Sequence, residues 1–270
     1  MAKDAAVEVA DRVRFWDTQA RNSGGDPNRA AGLDSPEENL AIDRVQIALL
    51  TGAMDRIRSE KNLAGASVLD FGCGSGRWVS LLKRYGCRYS GVDLSSGMLD
   101  VARRCHPGTD FRTVGDDVIP FDDRTFDLAW SVAVIHHNPP DQQERILAEL
   151  ARVLRDGALL VALEGIALGR VPRDGIYYPR TRKSWIDLAA RHSLRLRWRR
   201  GARYFIVGAI GHALRGRQFG ARPSFWVRRA ASIDAVLCPH LNGLLPPQLQ
   251  TRAVMVFQKD SAPPRTPTTS

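Results

Sequence analysis

The sequence contains no long apolar run. No stretch approaches the roughly 18 uncharged residues that a membrane-spanning helix requires. The amino-terminal MAKDAAVEVADRVRFW carries acids in its first turns and has no apolar core, so no secretory signal is expected. Cysteine is scarce. Cys73, Cys87, Cys105 and Cys238 form no CxxC pair and no framework spacing. That pattern excludes a disulfide scaffold and fits free thiols in a reducing cytosol. The expected location is cytoplasmic, and no metal site is expected. There is also no internal repeat, which excludes a solenoid.

One region is short of acids. The net charge is +10, but Arg170 to Ala230 holds 16 Lys and Arg against Asp174 and Asp187, leaving a net −4 for the rest of the chain. A uniformly basic nucleic-acid binder would spread its charge differently. Hydrophobic residues make up 44% of the 270 positions and charged residues 25%, the balance of an ordinary globular chain with room for one large core.

Within that frame, strands and helices alternate. Residues 5–16 read as a short helix carrying Phe15 and Trp16, and 18–34 as a polar loop with Gly-Gly and Asp-Pro. Ser35-Pro36-Glu37-Glu38 is a capping box that opens a helix. Strands are expected at Ser67–Phe71, Tyr89–Leu94, Asp110–Val114, within Phe126–Ile135, and at Ala158–Glu164. Between them come helices at Gly76–Tyr85, Ser96–Arg104 and Asp141–Leu154. Continuous apolar strands between helices predict a doubly wound, mostly parallel α/β sheet. Further on, Ser184–His192 reads as a helix, the alternation around Leu194, Leu196 and Trp198 as a half-exposed strand, and Ala253–Lys259 as a final strand. The expected division is N-terminal helices and a lid loop in 1–60, a Rossmann-like core in 61–168, a substrate-side cover with the last two strands in 169–259, and a disordered tail in 260–270.

The stretch VLDFGCGSGRW, Val68 to Trp78, carries the most chemical information. An apolar strand ends in Asp70, and Gly72, Gly74 and Gly76 then bare the backbone for a ligand. A dinucleotide fingerprint needs G-x-G-x-x-G, but its third small residue is Arg77 here, and no Gly-Lys-Ser/Thr follows for a P-loop. Asp70 is poor company for a pyrophosphate and good company for an ammonium group. After the second strand, Asp93 can accept from ribose hydroxyls, with Leu94 and Met98 placed to flank a base. After the third, Asp116 and Asp117 can accept from an exocyclic amine. S-adenosylmethionine presents ammonium, ribose and adenine in that order.

Residues 65–165 resemble a class I S-adenosylmethionine-dependent methyltransferase of the small-molecule type. VLDFGCGSGRW resembles its first motif, GVDLSSGML the second and VGDDVIPF the third. FDLAWSVAVIHH and RVLRDGALLVALE resemble the later strand-end motifs. The resemblance implies a seven-stranded sheet whose last strand is antiparallel, with S-adenosylmethionine as cofactor and S-adenosylhomocysteine as product. It places the methionine amine on Asp70, the methionine backbone region on Gly72, Cys73 and Gly74, and the ribose on Asp93. Adenine falls to Asp116 or Asp117, a choice left open because the third motif is compressed before Pro120-Phe121. Ser131 would lie beside the methionine.

Other residues suggest the acceptor side. His136 and His137 follow the fourth strand, where either can take a proton from an acceptor. Trp16 and Phe15, before the polar loop, are placed to form a lid that excludes water. Arg173, Arg180 and Arg182, with Tyr177 and Tyr178 among them, suit an anionic acceptor. Arg195, Arg197 and Arg199 read as a charged sheet edge. Apolar stretches such as YFIVGAIGHAL and FWVRRAASIDAVL suggest a helical cover, or contact with a membrane surface. The function expected is methyl transfer to a small organic acceptor, apolar and carrying an anionic group. Two alternatives remain: an RNA methyltransferase using residues 170–230, ranked low for want of an RNA-binding module, and a cofactor-binding protein without chemistry. The oligomeric state is not written in these residues.

Overall fold

A computed structural model describes residues 2–22, 36–115, 118–167, 177–202 and 252–261. Seven strands form one sheet: β1 Ser67–Phe71, β2 Arg88–Asp93, β3 Asp110–Thr113, β4 Phe126–Val132, β5 Leu154–Gly165, β6 Leu194–Ala202 and β7 Arg252–Lys259. Their order is β3-β2-β1-β4-β5-β7-β6. Pairing is parallel from β3 through β5, while β7 runs antiparallel to both of its neighbours. The expected seven-stranded architecture is therefore present.

Six helices are described: α1 Ala2–Asn22, α2 Pro36–Glu60, α3 Val79–Arg84, α4 Ser96–Cys105, α5 Pro140–Val153 and α6 Arg182–Arg191. The sheet is apolar on both faces, and a core lies on each. On one, Leu49, Met54 and Ile57 of α2 and Leu82 of α3 bury Val68, Leu128 and Val161. On the other, Ile146, Leu147 and Leu150 of α5 with Trp185 and Leu188 of α6 bury Leu69, Ala129 and Leu160. Two-sided burial explains why these strands read as unbroken apolar runs. Strand order reverses between β1 and β4, and the crevice outside the carboxyl ends of such strands is where open α/β sheets bind ligands.

Several boundaries differ from the sequence-based expectation for local reasons. The helix expected from Gly76 begins at Val79, because Gly76 is left-handed at φ +82° and the chain first makes tight turns. The fourth strand ends at Val132. Ala133 then adopts φ +58°, and a 3₁₀ turn spans Ile135–His137. The strand expected from Ala158 begins earlier, at Leu154, with a register irregularity against β4. The first helix runs on to Asn22, since no glycine or proline interrupts it. The rest of the expected lid loop, the segment between β6 and β7, and all but the first two residues of the expected tail lie outside the described residues. So does Cys238.

β6 forms one edge of the sheet. Its arginines reach outward to partners: Arg195 to Asp260 at 3.1 Å, and Arg197 to Gln258 at 3.0 Å and Glu60 at 3.2 Å. These are exposed pairs that charge an edge and discourage further strand addition.

Candidate active site

The first half of the site is built on the ends of β1 and β2. Gly72 (φ +71°) and Gly74 (φ +52°) turn the chain sharply after Phe71. At Gly72 an added Cβ would come within 2.4 Å of the Val134 side chain, so only glycine lets the two strand ends close on each other. At Gly74 a Cβ would meet none of the described residues within 4 Å, and the backbone there is bare toward them. Cys73 is buried, and its sulfur lies over Gly91. Burial and the carboxylates of Asp93 and Asp70 push its thiol well above the usual range, which fits a packing residue and not a nucleophile.

Asp70 is 1% exposed. Tyr89 donates a hydrogen bond to its Oδ2 at 2.7 Å. Its Oδ1 is buried and has no hydrogen-bond partner among the described residues. Burial raises the carboxyl to about 7; the Tyr89 hydrogen bond opposes the rise and the charge of Asp93 adds to it. A buried carboxyl kept short of one partner fits a cationic ligand, which would return the group to its ionised form. Asp93 closes β2. It accepts from the Gly74 amide at 2.8 Å and the Ser95 amide at 2.9 Å, so it ties the glycine turn to α4. Burial raises it too, against those amides. An ionised carboxylate has about four acceptor sites, so two amides leave capacity for ribose hydroxyls. Leu94 follows, half-buried at the strand end. These groups fit the ammonium and ribose of S-adenosylmethionine. Asp116 and Asp117 lie outside the described residues.

The second half stands on the ends of β4 and β5. Ser131, fully buried, donates to Glu164 Oε1 at 3.2 Å. Glu164 also accepts from the amides of Ile135 and His136, each at 3.2 Å, and pairs with His136 Nδ1. The Gly165 amide also donates to that same nitrogen at 3.2 Å. Both side chains are 0% exposed. Burial alone would raise Glu164, but the His136 charge and the amide donors outweigh it and hold the carboxyl below its usual value. The His136 ring packs at 4.4 Å from His137 and 5.0 Å from Tyr177, and Trp16 meets His137 edge-on at 6.3 Å. His136, His137, Tyr177 and Trp16 are thus brought together.

Helix α1 crosses the mouth between the halves. Asp17 accepts from Ser95 Oγ at 2.5 Å and from the Gly97 amide at 3.2 Å on one side, and Arg12 donates to Gln142 on α5 at 2.5 Å on the other. Met98 is buried with Val101 against Ala20 of α1, and these contacts are those of a packing residue.

The remaining expected residues hold the framework around this cluster or lie elsewhere. Arg180 donates to Gln143, to Ser184 Oγ at 3.2 Å and to the Pro140 carbonyl at 3.1 Å, so its guanidinium pins the segment after Tyr177 to α5. Tyr178 contributes backbone: its amide donates to the His136 carbonyl at 2.7 Å and its carbonyl accepts from Gln143 at 2.8 Å. Arg182 opens α6 as an exposed residue, and Arg173 is outside the described residues. Arg77 pairs with Asp43 and lies over the Trp78 ring. Sequence reasoning passed over Tyr89, Glu164, Asp17, Arg12 and Gln143. Glu164 alone left a signal, as the single acid ending the apolar run LLVALEG.

Comparisons with known proteins bear on the family and the fold. Residues 69–162 match a family model described as a methyltransferase domain. A phthiotriol/phenolphthiotriol dimycocerosates methyltransferase of Mycobacterium tuberculosis is 36% identical over 106 residues, 38% of each chain. A malonyl-[acyl-carrier protein] O-methyltransferase of Salmonella typhimurium is 32% identical over 153 residues, 56% of this chain and 53% of that one. The match thus spans from about two fifths to half the length of these curated relatives. A crystal structure described as a candidate sarcosine dimethylglycine methyltransferase from Galdieria sulphuraria superposes with a TM-score of 0.57 at 15% identity, covering 80% of this chain and 86% of that one, a likeness of fold.

Proposed function

We propose that this chain, which carries a class I S-adenosylmethionine-dependent methyltransferase domain, transfers a methyl group to a small organic acceptor with an apolar skeleton. When bound, S-adenosylmethionine supplies an already activated sulfonium methyl, so the protein's work is binding and alignment. The observation that carries the reading is Asp70. Its buried oxygen, without a partner among the described residues, lies one strand-end turn from the backbone of Gly74, and Asp93 stands on the far side of that turn. In this reading Asp70 holds the methionine ammonium, Asp93 holds the ribose, and Leu94 lines the base.

The acceptor enters at the ends of β4 and β5, where the rings of Trp16, His137 and Tyr177 favour an apolar molecule. Arg180 is committed to Gln143, Ser184 and the Pro140 carbonyl, so support for an anionic part of the acceptor does not come from that residue. Helix α1 acts as the cover that keeps water out. The names of the two relatives, a phthiotriol/phenolphthiotriol dimycocerosates methyltransferase and a malonyl-[acyl-carrier protein] O-methyltransferase, support an organic acceptor of biosynthetic origin. No described helix is long and apolar enough to cross a membrane.

Labelled S-adenosylmethionine incubated with the protein and a metabolite pool, followed by mass spectrometry, tests the reading. A labelled, methylated product supports it. Tight S-adenosylhomocysteine binding with no labelled product from any pool supports the cofactor-binding alternative instead.

A further inference from the structure

We propose that the indole N–H of Trp130 holds the carboxylate of the cofactor's methionine, beside Asp70 holding its ammonium, so that the pair selects an intact α-amino acid. The inference rests on the reading of S-adenosylmethionine as cofactor and deepens it.

Trp130 is 0% exposed, near the end of β4. Its ring meets Trp78 edge-on, with 6.0 Å between centroids. Its Nε1 is buried and has no hydrogen-bond partner among the described residues. A buried tryptophan N–H normally finds a partner, because an unmatched donor loses its bond to water without replacement. Packing against Trp78 explains the ring. It does not explain the N–H, since an all-carbon ring would fill the same core without that cost.

The sheet sets Trp130 beside Asp70. The two residues are paired in register across β1 and β4. Side chains alternate between faces along a strand, and neighbouring strands lie about 4.8 Å apart. Val68 and Leu128, two residues before Asp70 and Trp130, share the core that also takes Trp130. Asp70 and Trp130 therefore leave the sheet side by side on that face. Asp70 brings a buried acceptor atom, Oδ1, and Trp130 a buried donor, each without a partner among the described residues. An α-amino acid carries its ammonium and its carboxylate on one carbon. It needs an acceptor and a donor as close neighbours, and this pair supplies both.

The amides that flank the pair are engaged elsewhere. Those of Gly72 and Cys73 donate to the Val92 carbonyl at 2.8 and 3.0 Å, that of Gly74 to Asp93, and that of Gly76 to the Cys73 carbonyl at 3.0 Å. After β4, the Ala133 amide donates to the Leu163 carbonyl at 2.8 Å, and the Ile135 and His136 amides donate to Glu164. Arg77, which follows the glycine turn, pairs with Asp43 and lies over the Trp78 ring. A carboxylate held next to Asp70 therefore turns to a side-chain donor, and an N–H to an ionised oxygen is among the stronger hydrogen bonds.

The test uses the full chain at about pH 8 and three probes. S-adenosylhomocysteine has both groups, its aminopropyl analogue lacks the carboxylate, and its carboxypropyl analogue lacks the amine. In Trp130→Phe, calorimetry is expected to show about 30-fold weaker binding of S-adenosylhomocysteine and of the carboxypropyl analogue, with the aminopropyl analogue changed by less than about threefold. A merely structural defect weakens all three alike. A second readout needs no variant. In nitrogen-15 tryptophan spectra of the wild type, the Trp130 indole N–H, assigned by its contacts with the Trp78 ring, is expected to move downfield with S-adenosylhomocysteine and not with the aminopropyl analogue. The proposal is overturned by equal loss of all three probes in Trp130→Phe, by unchanged affinities, or by an indole signal that stays still or moves equally with both ligands. Any of these, with S-adenosylhomocysteine still bound by the wild type, overturns this proposal alone. Absence of that binding overturns the cofactor reading as well.

Discussion

Tyr89 donates its hydroxyl hydrogen to Asp70 across neighbouring strands at 2.7 Å, and the second oxygen of Asp70 stays buried without a partner among the described residues. In the proposed reading this pair receives the ammonium end of the cofactor. One donor suffices to seat the carboxyl but not to hold it ionised, and burial raises it to about 7. Only the ionised form attracts an ammonium group. Affinity for S-adenosylhomocysteine is therefore expected to be flat above about pH 7 and to fall up to about tenfold per pH unit below it. Titration calorimetry at several pH values checks this, and an affinity that does not vary with pH across that range counts against the role of Asp70.

The same shift links binding to stability. The folded-state value of Asp70 lies above the ordinary aspartate value of 3.8, so between about pH 4 and pH 7 the folded chain holds more of this proton than the unfolded one. Its contribution to stability therefore declines as pH rises through that window. Asp70→Asn, which stays neutral, is expected to melt higher than the wild type at about pH 8 and near the wild-type temperature at about pH 4. Cofactor affinity in the same variant should drop about 100-fold. Thermal melts paired with calorimetry read both effects.

Two glycines of one turn should fail differently. Gly72→Ala meets the Val134 side chain and a left-handed φ together, and should cost about 3 kcal/mol of stability. Gly74→Ala meets only the unfavourable φ and should cost about 1 kcal/mol. Its added methyl nonetheless enters the space read as the cofactor's, so its binding loss should exceed its stability loss. Denaturant melts and S-adenosylhomocysteine titrations of the two variants make the comparison.

Helix α1 is latched by Asp17 to Ser95 and Gly97. If α1 is the cover, Asp17→Asn should speed S-adenosylhomocysteine release about tenfold, since a hydrogen bond to a charged group is worth about 1.5–3 kcal/mol. Stopped-flow displacement measures the rate. An unchanged release rate would make α1 a packing element only.

The cofactor half of the site was legible in the sequence because it is written in contiguous motifs. Asp70, the glycines and Asp93 each sit where a strand visibly ends, and the sheet puts those ends side by side. The acceptor half was legible only in part. His136 and His137 stood out as a titratable pair, but their partner Glu164 is 28 residues from His136, and only the parallel pairing of β4 with β5 brings the two together. Tyr89 and Asp17 act through similar long-range contacts that no local pattern announces. Arg180 looked like an anion anchor because arginines cluster around it. Its hydrogen bonds to Gln143 and Ser184 depend on how α5 packs beside α6, which composition does not reveal. A helix start and a strand end moved where positive φ at Gly76 and Ala133 redirected the backbone.

The central claim is that Asp70 and the glycine turn hold the amino-acid end of S-adenosylmethionine. Calorimetric titration of S-adenosylhomocysteine into the wild-type chain and into Asp70→Asn, at mildly alkaline pH, tests it most directly. The account predicts saturable binding to the wild type and an affinity about 100-fold weaker in a variant that still melts cooperatively. No heat from the wild type, or equal affinity in both, would contradict it.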